Sequence, residues 1–376
     1  MRRLLNFCRG GVLASLSILA MLALFAAGCN NSSDTPYIPA VQTYTVTVTN
    51  GTATPTKAAA GATITVKANA PESGKVFGKW ISLTTGVTFA SETSVETTFK
   101  MPASNVTVAA TYYNPAGGID GLFSVSATKK VYFSKGNLRA TYDGSSWTWS
   151  FADHQYDAVG DAAANTSING DGTVSANGSV DLFGWVGASS AFTDVAAFGI
   201  SNSQTYADYG NVAGEALNDW GTNAISNGGN VANYGWRTLT MDEWNYVVKT
   251  RAGADSKKGA ATVNNVAGWI LLPDAWTLPA GVSFTAGAAS EYTTNSYTAE
   301  QWAVMESAGA VFLPVTGRRD GSSVDTLDVV GFYWSATSSN TYSAYNASFT
   351  SSGFSNEFPN WTRYKGAAVR LAKDSD

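Results

Sequence analysis

The stretch TYTVTVTNGTATPT (43–56) opens with a strict alternation of apolar and polar side chains, and GATITVKANAP (61–71) repeats the pattern. Such a period of two is typical of half-buried β-strands. The apolar members share one face in each stretch: Tyr44, Val46 and Val48 in the first, Ile64, Val66 and Ala68 in the second. Asn50-Gly51 is a common two-residue turn signal and predicts a hairpin. This part of the chain should form a small sheet.

Three motifs stand out in this part of the chain: AGATITVKANAP (60–71), FGKW around Trp80, and the closing FKMPASNVTVAATY (99–112). With these motifs, residues 42–113 resemble the internalin B-type repeat of bacterial surface proteins. The resemblance implies a small all-β spacer that holds a distal domain away from the cell envelope.

The N-terminus has the anatomy of an export signal. Three arginines precede the apolar run GVLASLSILAMLALFAA (11–27), and small residues lead to Cys29. AAGC (26–29) resembles a bacterial lipobox, although Ala26 stands where leucine is usual. The resemblance implies a signal peptide over 1–28, a lipid (palmitate) on Cys29, a tether over 29–41, and an outer-membrane lipoprotein exposed at the surface. A plain signal peptide or a membrane anchor is the alternative.

Residue counts exclude several kinds of chemistry. The only cysteines are Cys8, in the signal, and Cys29, so the mature chain has no disulfide or thiol site. The one histidine, His154, excludes a two-histidine metal site. The net charge is −5 with 14% charged residues, which gives no electrostatic footprint for nucleic acid. We expect no cofactor and no bound metal.

Composition changes after NPAGG (114–118), which is predicted to be a linker. Trp80 is the single tryptophan of the repeat, and the other eleven of the twelve follow the linker. Residues 119–376 are predicted to form one α+β domain. Two capping boxes mark its helices, Thr240 with Glu243 and Thr298 with Gln301, and AVFLPVTG (310–317) is expected to be a buried strand.

A set of motifs follows in this domain. They are, in order, KKVYFSKGNLRA, WSFADHQYD, DLFGW, WRTLTMDEW, ILLPDAW, GAVFLPVTGRR, GFYWSATS and AAVRLAK. With this ordered set the domain resembles exported proteins of Bacteroides-type gut bacteria with a C-type-lectin-like fold. That family shares its architecture with the formylglycine-generating enzyme domain and the major paralogous domain. The resemblance implies short helices, twisted antiparallel sheets, a core strand containing Trp334, and a ligand face on the last strands. The related enzymes rely on cysteines, which this domain lacks.

The segment SSNTYSAYNASF (338–349) has the composition of an antibody combining loop. Residues 340–366 also resemble the variable region of proteins diversified by retroelements. Strand periodicity assigns Ala347 and Phe349 to the core and directs Tyr342, Asn346 and Ser348 to solvent. The predicted ligand-binding residues are Tyr342, Asn346, Ser348, Phe354, Asn356, Phe358, Asn360, Trp361, Arg363 and Tyr364.

The expected function is adhesion or recognition of a protein or glycan ligand through these C-terminal strands and loop. One alternative is a structural subunit of a surface fibre, and a less favoured one is a glycan-processing enzyme. SINGDGTVSANGSVD (167–181) lacks the acidic spacing of a calcium loop. Asp242 and Glu243 are explained by helix capping, and His154 by a structural role. The sequence therefore predicts a binding protein rather than an enzyme.

Overall fold

The computed structural model describes residues 41–114, 116–159, 162–169, 178–187, 198–210, 219–232, 234–355 and 360–375. The chain from Gln42 to Asp376 forms one compact unit. The strands of its first part are β1 (Thr43–Thr49), β2 (Gly51–Thr54), β3 (Lys57–Ala59), β4 (Thr63–Ala68), β5 (Val76–Ser82), β6 (Glu96–Lys100) and β7 (Val106–Tyr113).

Short strands also dominate the second part. They are β8 (Phe123–Ser124), β9 (Lys130–Phe133), β10 (Leu138–Tyr142), β11 (Trp147–Phe151), β12 (Gly178–Val180), β13 (Trp236–Thr238), β14 (Lys258–Val263), β15 (Val266–Leu271), β16 (Asn295–Tyr297), β17 (Val311–Pro314), β18 (Arg318–Asp320), β19 (Ser323–Asp325), β20 (Gly331–Asn340), β21 (Ser343–Thr350), β22 (Gly353–Phe354), β23 (Asn360–Thr362) and β24 (Leu371–Asp374). The α-helices are α1 (Ala162–Thr166), α2 (Met241–Asn245) and α3 (Ala299–Ser307). The described fold is mainly β with short helices.

The first part contains two sheets, ordered β3-β1-β7-β5 and β2-β4-β6. The predicted alternation is confirmed, because Val46, Ile64 and Val66 are buried in a common core. The predicted Asn50-Gly51 hairpin is wrong. β1 pairs with β3 and β7, whereas β2 pairs with β4, so the turn carries the chain from one sheet to the other.

Close packing explains the glycine at this corner. A Cβ atom on Gly51 would lie 2.7 Å from the Lys67 carbonyl oxygen and 2.8 Å from the Trp80 ring. Asn50 takes a positive φ of 59°, a conformation that asparagine tolerates better than most residues. The Asn-Gly pair thus fits a corner between sheets as well as it fits a hairpin.

The second part is built from several small sheets. Their strand orders are β11-β10-β12, β13-β24-β9-β8, β16-β14-β15-β17, β18-β19, and β20-β21-β22 with β23 also paired to β21. Antiparallel pairs predominate, as predicted, although β14 pairs with β16 in parallel. The predicted buried strand is confirmed, since every residue of β17 is buried.

Both predicted capping boxes are present. The Thr240 hydroxyl accepts from the Glu243 amide at the start of α2, and the Thr298 hydroxyl accepts from the Gln301 amide at the start of α3. α2 continues into a π-helical turn, Tyr246–Thr250. Trp302 and Met305 of α3 are buried, as expected, and Gly309 follows the helix with a φ of 96°.

The sheet formed by β20 and β21, which we call the central sheet, has both faces buried. Tyr333, Ala347 and Phe349 join one hydrophobic cluster. Trp334 and Ala344 join a second cluster, against which Phe332 and Trp361 pack. The sheet therefore divides two cores and exposes side chains mainly at its ends.

The first part packs directly on α3 of the second part. The Tyr112 amide of β7 donates to the Ser307 hydroxyl over 3.2 Å, and Lys75 lies 3.6 Å from the Asp120 carboxylate. The segment between the two parts is itself anchored, because the Lys135 amide donates to the Gly117 carbonyl oxygen.

Candidate ligand-binding surface

Two tyrosines form an exposed pair at the end of the central sheet. Tyr342 lies in the turn between β20 and β21, and Tyr206 lies in a 3₁₀ turn, Tyr206–Tyr209. Their ring centres are 4.5 Å apart at an interplanar angle of 81°, an edge-to-face contact. Tyr342 is 52% exposed and Tyr206 is 41% exposed. Each ring supports the other while leaving apolar area open to a ligand.

An aromatic stack with two cations lies on the same part of the domain. Trp361 of β23 stacks on Phe332 of β20, with ring centres 4.3 Å apart and planes 16° apart. The Arg318 guanidinium carbon lies 5.3 Å from the centre of the Trp361 ring, and the Lys365 ammonium nitrogen lies 5.5 Å from it. These distances are in the range of cation–π attraction.

Polar contacts join the pair to the stack. The Gln204 side chain, two residues before Tyr206, donates to the Asp320 carboxylate over 2.8 Å, and the Lys365 ammonium lies 2.9 Å from the same carboxylate. Burial acts to raise the pKa of Asp320, but the hydrogen bonds from Lys365 and Gln204 outweigh it and lower that pKa. Asp320 therefore stays ionised, and its carboxylate links the segment around Gln204 to the segment around Lys365.

We call this set the C-terminal face. Its members come from the 201–210 segment, from β18, from the β20–β21 turn and strands, and from β23 with the residues after it. They are Gln204, Tyr206, Arg318, Asp320, Phe332, Tyr342, Trp361 and Lys365.

The structure contradicts the predicted exposure of Asn346 and Ser348. Both side chains are buried. Asn346 lies opposite Trp334 and Ser348 opposite Phe332, and these partners point into the second core. The prediction assumed a sheet with one solvent-exposed face, whereas both faces of this sheet are covered by other parts of the domain.

Arg363 is also buried and cannot reach a ligand in this structure. Its guanidinium donates to the carbonyl oxygens of Thr341, Tyr209 and Gly210 over 2.7, 2.8 and 2.5 Å. Burial lowers the pKa of Arg363 from its ordinary value, and the neighbouring Tyr209 opposes that change. The side chain ties the 209–210 segment to the end of the central sheet.

The other predicted residues are distributed over several environments. Phe354 packs edgewise on Trp269, with ring centres 5.3 Å apart, and against Phe349 at 5.1 Å. Tyr364 is half-buried. Asn360 pairs with Tyr345 through β23, but its side chain, like Asn356, Phe358 and Cys29, lies outside the described residues. Tyr342 and Trp361 are the predicted residues that the structure brings to the C-terminal face.

Sequence reasoning missed most partners of these two aromatics. Arg318, Asp320 and Asp325 lie close together in the charged stretch GRRDGSSVD (317–325), which by itself indicates only a solvated surface group. The structure buries Arg319 and pairs Arg318 with Asp325 over 2.6 Å. Tyr206 lies 136 residues from Tyr342 in the numbering, so no local pattern connects them.

His154 lies at the surface of the domain. The His154 ring is exposed and stacks on Tyr156, with centres 4.8 Å apart. Among the described residues, no group of three or more His, Cys, Asp or Glu side chains is placed to hold a metal ion. In the same part of the chain, no helix is long and apolar enough to cross a bilayer.

Comparison with known protein families gives a match for the first part of the chain. Residues 42–115 match the family described as a divergent InlB B-repeat domain. The predicted repeat over 42–113 is thereby confirmed, and the B-repeat comprises the sheets formed by β1 to β7. Comparisons of the chain with curated proteins and with solved structures gave no match.

Proposed function

We propose that this chain is a surface-exposed binding lipoprotein without enzymatic activity. In this proposal a lipid on Cys29 anchors it to the outer membrane, and a tether and the B-repeat carry a C-type-lectin-like domain. The C-terminal face of that domain recognises a protein or glycan ligand.

The exposed tyrosine pair carries the proposal. Tyr342 and Tyr206 remain about half exposed although each could bury a large apolar area. Tyrosine presents such area at a low cost in side-chain entropy, because few torsions must be fixed on binding. A pair already held edge to face loses still less freedom when a ligand docks.

The surroundings of the pair favour a protein ligand over a glycan. Trp361, with Arg318 and Lys365 around it, supplies the residue types that dominate interface hot spots. The ion pairs Arg318–Asp325 and Lys365–Asp320 border the aromatics. An aromatic centre with a charged rim is the usual anatomy of a protein interface.

A binding screen of the full chain tests this function. Wild type and the variants Tyr342→Ala, Trp361→Ala and Tyr234→Ala are applied to a glycan array and to an array of purified cell-surface proteins. Tyr234 is a matched control, because it is 39% exposed and lies over Lys373, outside the C-terminal face. Thermal unfolding of each variant separates loss of binding from loss of folding.

We expect Tyr342→Ala to weaken binding at least about tenfold, the range of a modest hot spot. Trp361→Ala should weaken it as well, while Tyr234→Ala should leave it unchanged. Binding that survives in both folded face variants would overturn this assignment. Metabolic palmitate labelling that is lost in Cys29→Ser tests the anchor separately.

A further inference from the structure

A cleft lies where the B-repeat meets the second part of the chain. It is lined by the end of β7, by the 117–120 segment, and by Glu306 and Ser307 of α3. Its volume is about 340 Å³, within the range of about 300–1,000 Å³ of small-molecule sites. Neither part forms this cleft alone.

The cleft is built rather than accidental. The Tyr112 amide donates to the Ser307 hydroxyl, and the Tyr112 phenol donates to the Asn69 carbonyl oxygen over 2.7 Å, so one residue joins α3 to the body of the repeat. A Cβ on Gly117 would lie 2.4 Å from the Asn227 carbonyl oxygen. That close approach fixes the wall formed by the segment between the two parts.

The charged groups of the cleft are of both signs. Glu306, Asp120 and Asp153 supply carboxylates, and Lys135 supplies an ammonium group. Lys75 lies 3.6 Å from Asp120 and partly neutralises it. A simple anion would meet the carboxylates, and a simple cation would meet Lys135.

A neutral polyhydroxylated ligand satisfies both kinds of group. Each hydroxyl donates to a carboxylate and accepts from an ammonium. Tyr113, which is 55% exposed, adds an aromatic surface at the same cleft. Aromatic rings offer flat apolar area to the C–H faces of such molecules.

We propose that the cleft between the B-repeat and α3 is a binding site for a short saccharide. The Glu306 and Asp153 carboxylates accept from sugar hydroxyls, Lys135 donates to them, and the Tyr113 ring lies against one sugar face. This site is separate from the C-terminal face and does not depend on the function proposed for it.

Glu306 gives the site a distinct signature. Burial raises the pKa of its carboxyl to about 7, against the opposing effects of Gln155, Arg370 and Lys135. The ionised carboxylate is the better acceptor, so saccharide binding should strengthen as the pH rises from about 6 to about 8. Asp120 also has a raised pKa, caused by burial and opposed by Lys75.

Ligand-detected NMR and calorimetry on the full chain test the proposal. The probes are glucose, galactose, mannose and N-acetylglucosamine, with maltose, cellobiose, lactose and chitobiose. We expect at least one of them to bind with a Kd of about 1 mM or tighter. Tyr113→Ala and Glu306→Gln should each weaken that binding about tenfold, and Glu306→Gln should remove its pH dependence.

Tyr234→Ala is the control, since Tyr234 is exposed and lies outside both the cleft and the C-terminal face. Unchanged saccharide binding in Tyr234→Ala, together with loss in the cleft variants, supports the proposal. The proposal is overturned if none of the eight probes binds below about 10 mM. It is equally overturned if a probe binds and both cleft variants retain its affinity. Neither result bears on the protein ligand of the C-terminal face.

Discussion

Arg363 donates hydrogen bonds to carbonyl oxygens from separate parts of the chain, and its guanidinium carbon lies 5.9 Å from the centre of the Trp185 ring. Removing this side chain would take a donor from the carbonyl oxygens of Thr341 and Gly210, whereas the Tyr209 oxygen would keep the Gly187 amide as a partner. A buried polar group left without a partner costs about 1–3 kcal/mol.

Arg363→Ala should therefore lower the free energy of unfolding by about 3–5 kcal/mol. Arg318→Ala is the matched control. Its guanidinium is partly exposed and pairs with Asp325, so its loss should cost no more than about 1 kcal/mol. Denaturant unfolding of both variants measures the difference. Equal stabilities would show that the carbonyl groups around Arg363 find other partners.

Glu306 links stability to pH. Its pKa rises from the ordinary 4.5 to about 7 in the folded protein, so the folded state holds a proton that the unfolded state has released between those values. Stability should thus fall as the pH rises from about 4.5 to about 7, by about 1–3 kcal/mol. Glu306→Gln should remove this part of the slope. The measurement is denaturant unfolding of wild type and variant at several pH values in that range. The prediction is contradicted if the free energies of unfolding of the two proteins depend on pH in the same way.

At the scale of single elements, the helix starts were the most predictable features. A capping box depends on residues three apart in sequence, and both boxes formed as the sequence indicated. Such local signals survive because few tertiary contacts compete with them.

Thr298→Ala removes the side-chain acceptor at the start of α3, where the hydroxyl accepts from the Gln301 amide over 3.3 Å. The loss should cost about 1 kcal/mol in the free energy of unfolding. Thr277→Ala is a suitable control, since Thr277 is exposed, and it should change stability by less than about 0.5 kcal/mol. Chemical denaturation distinguishes the two. If Thr298→Ala leaves the free energy of unfolding unchanged, the capping box does not contribute to stability and packing alone stabilises α3.

The central sheet shows where element-level prediction failed. Alternation in β21 correctly separated Ala347 and Phe349 from Asn346 and Ser348, but both sets are buried. Period-two patterning assigns residues to faces and says nothing about what covers each face. Ser348 lies beside Phe332 on the neighbouring strand and is buried in spite of its hydroxyl, so polarity was a poor guide to exposure.

The C-terminal face could be only half predicted for the same reason. Tyr342 and Trp361 stood out as aromatics among turn residues, and both reach it. Gln204 and Tyr206 come from a segment more than a hundred residues earlier. Contacts of that separation depend on the topology of the whole domain, which no local pattern encodes.

At the scale of the whole molecule, the B-repeat does more than extend the chain. Its β7 contacts α3 through Tyr112 and Ser307, and Lys75 reaches Asp120. Gly281 approaches so closely that a Cβ would lie 2.6 Å from the Leu83 side chain. A repeat that served only as a spacer would need none of these contacts.

The two parts should therefore unfold together. We expect calorimetry of the full chain to give one transition for residues 42–376, with calorimetric and van't Hoff enthalpies in agreement.

The variant Lys75→Ala tests the contact between the two parts, because it removes the ion pair with Asp120. Burial already raises the pKa of the Asp120 carboxyl. The variant should lower the melting temperature and broaden the transition. Lys67→Ala is the control, because the Lys67–Glu96 pair is exposed and lies within the repeat. Two resolved transitions in wild type would instead identify the B-repeat as an independent spacer, and the cleft beside α3 would then lack a fixed wall.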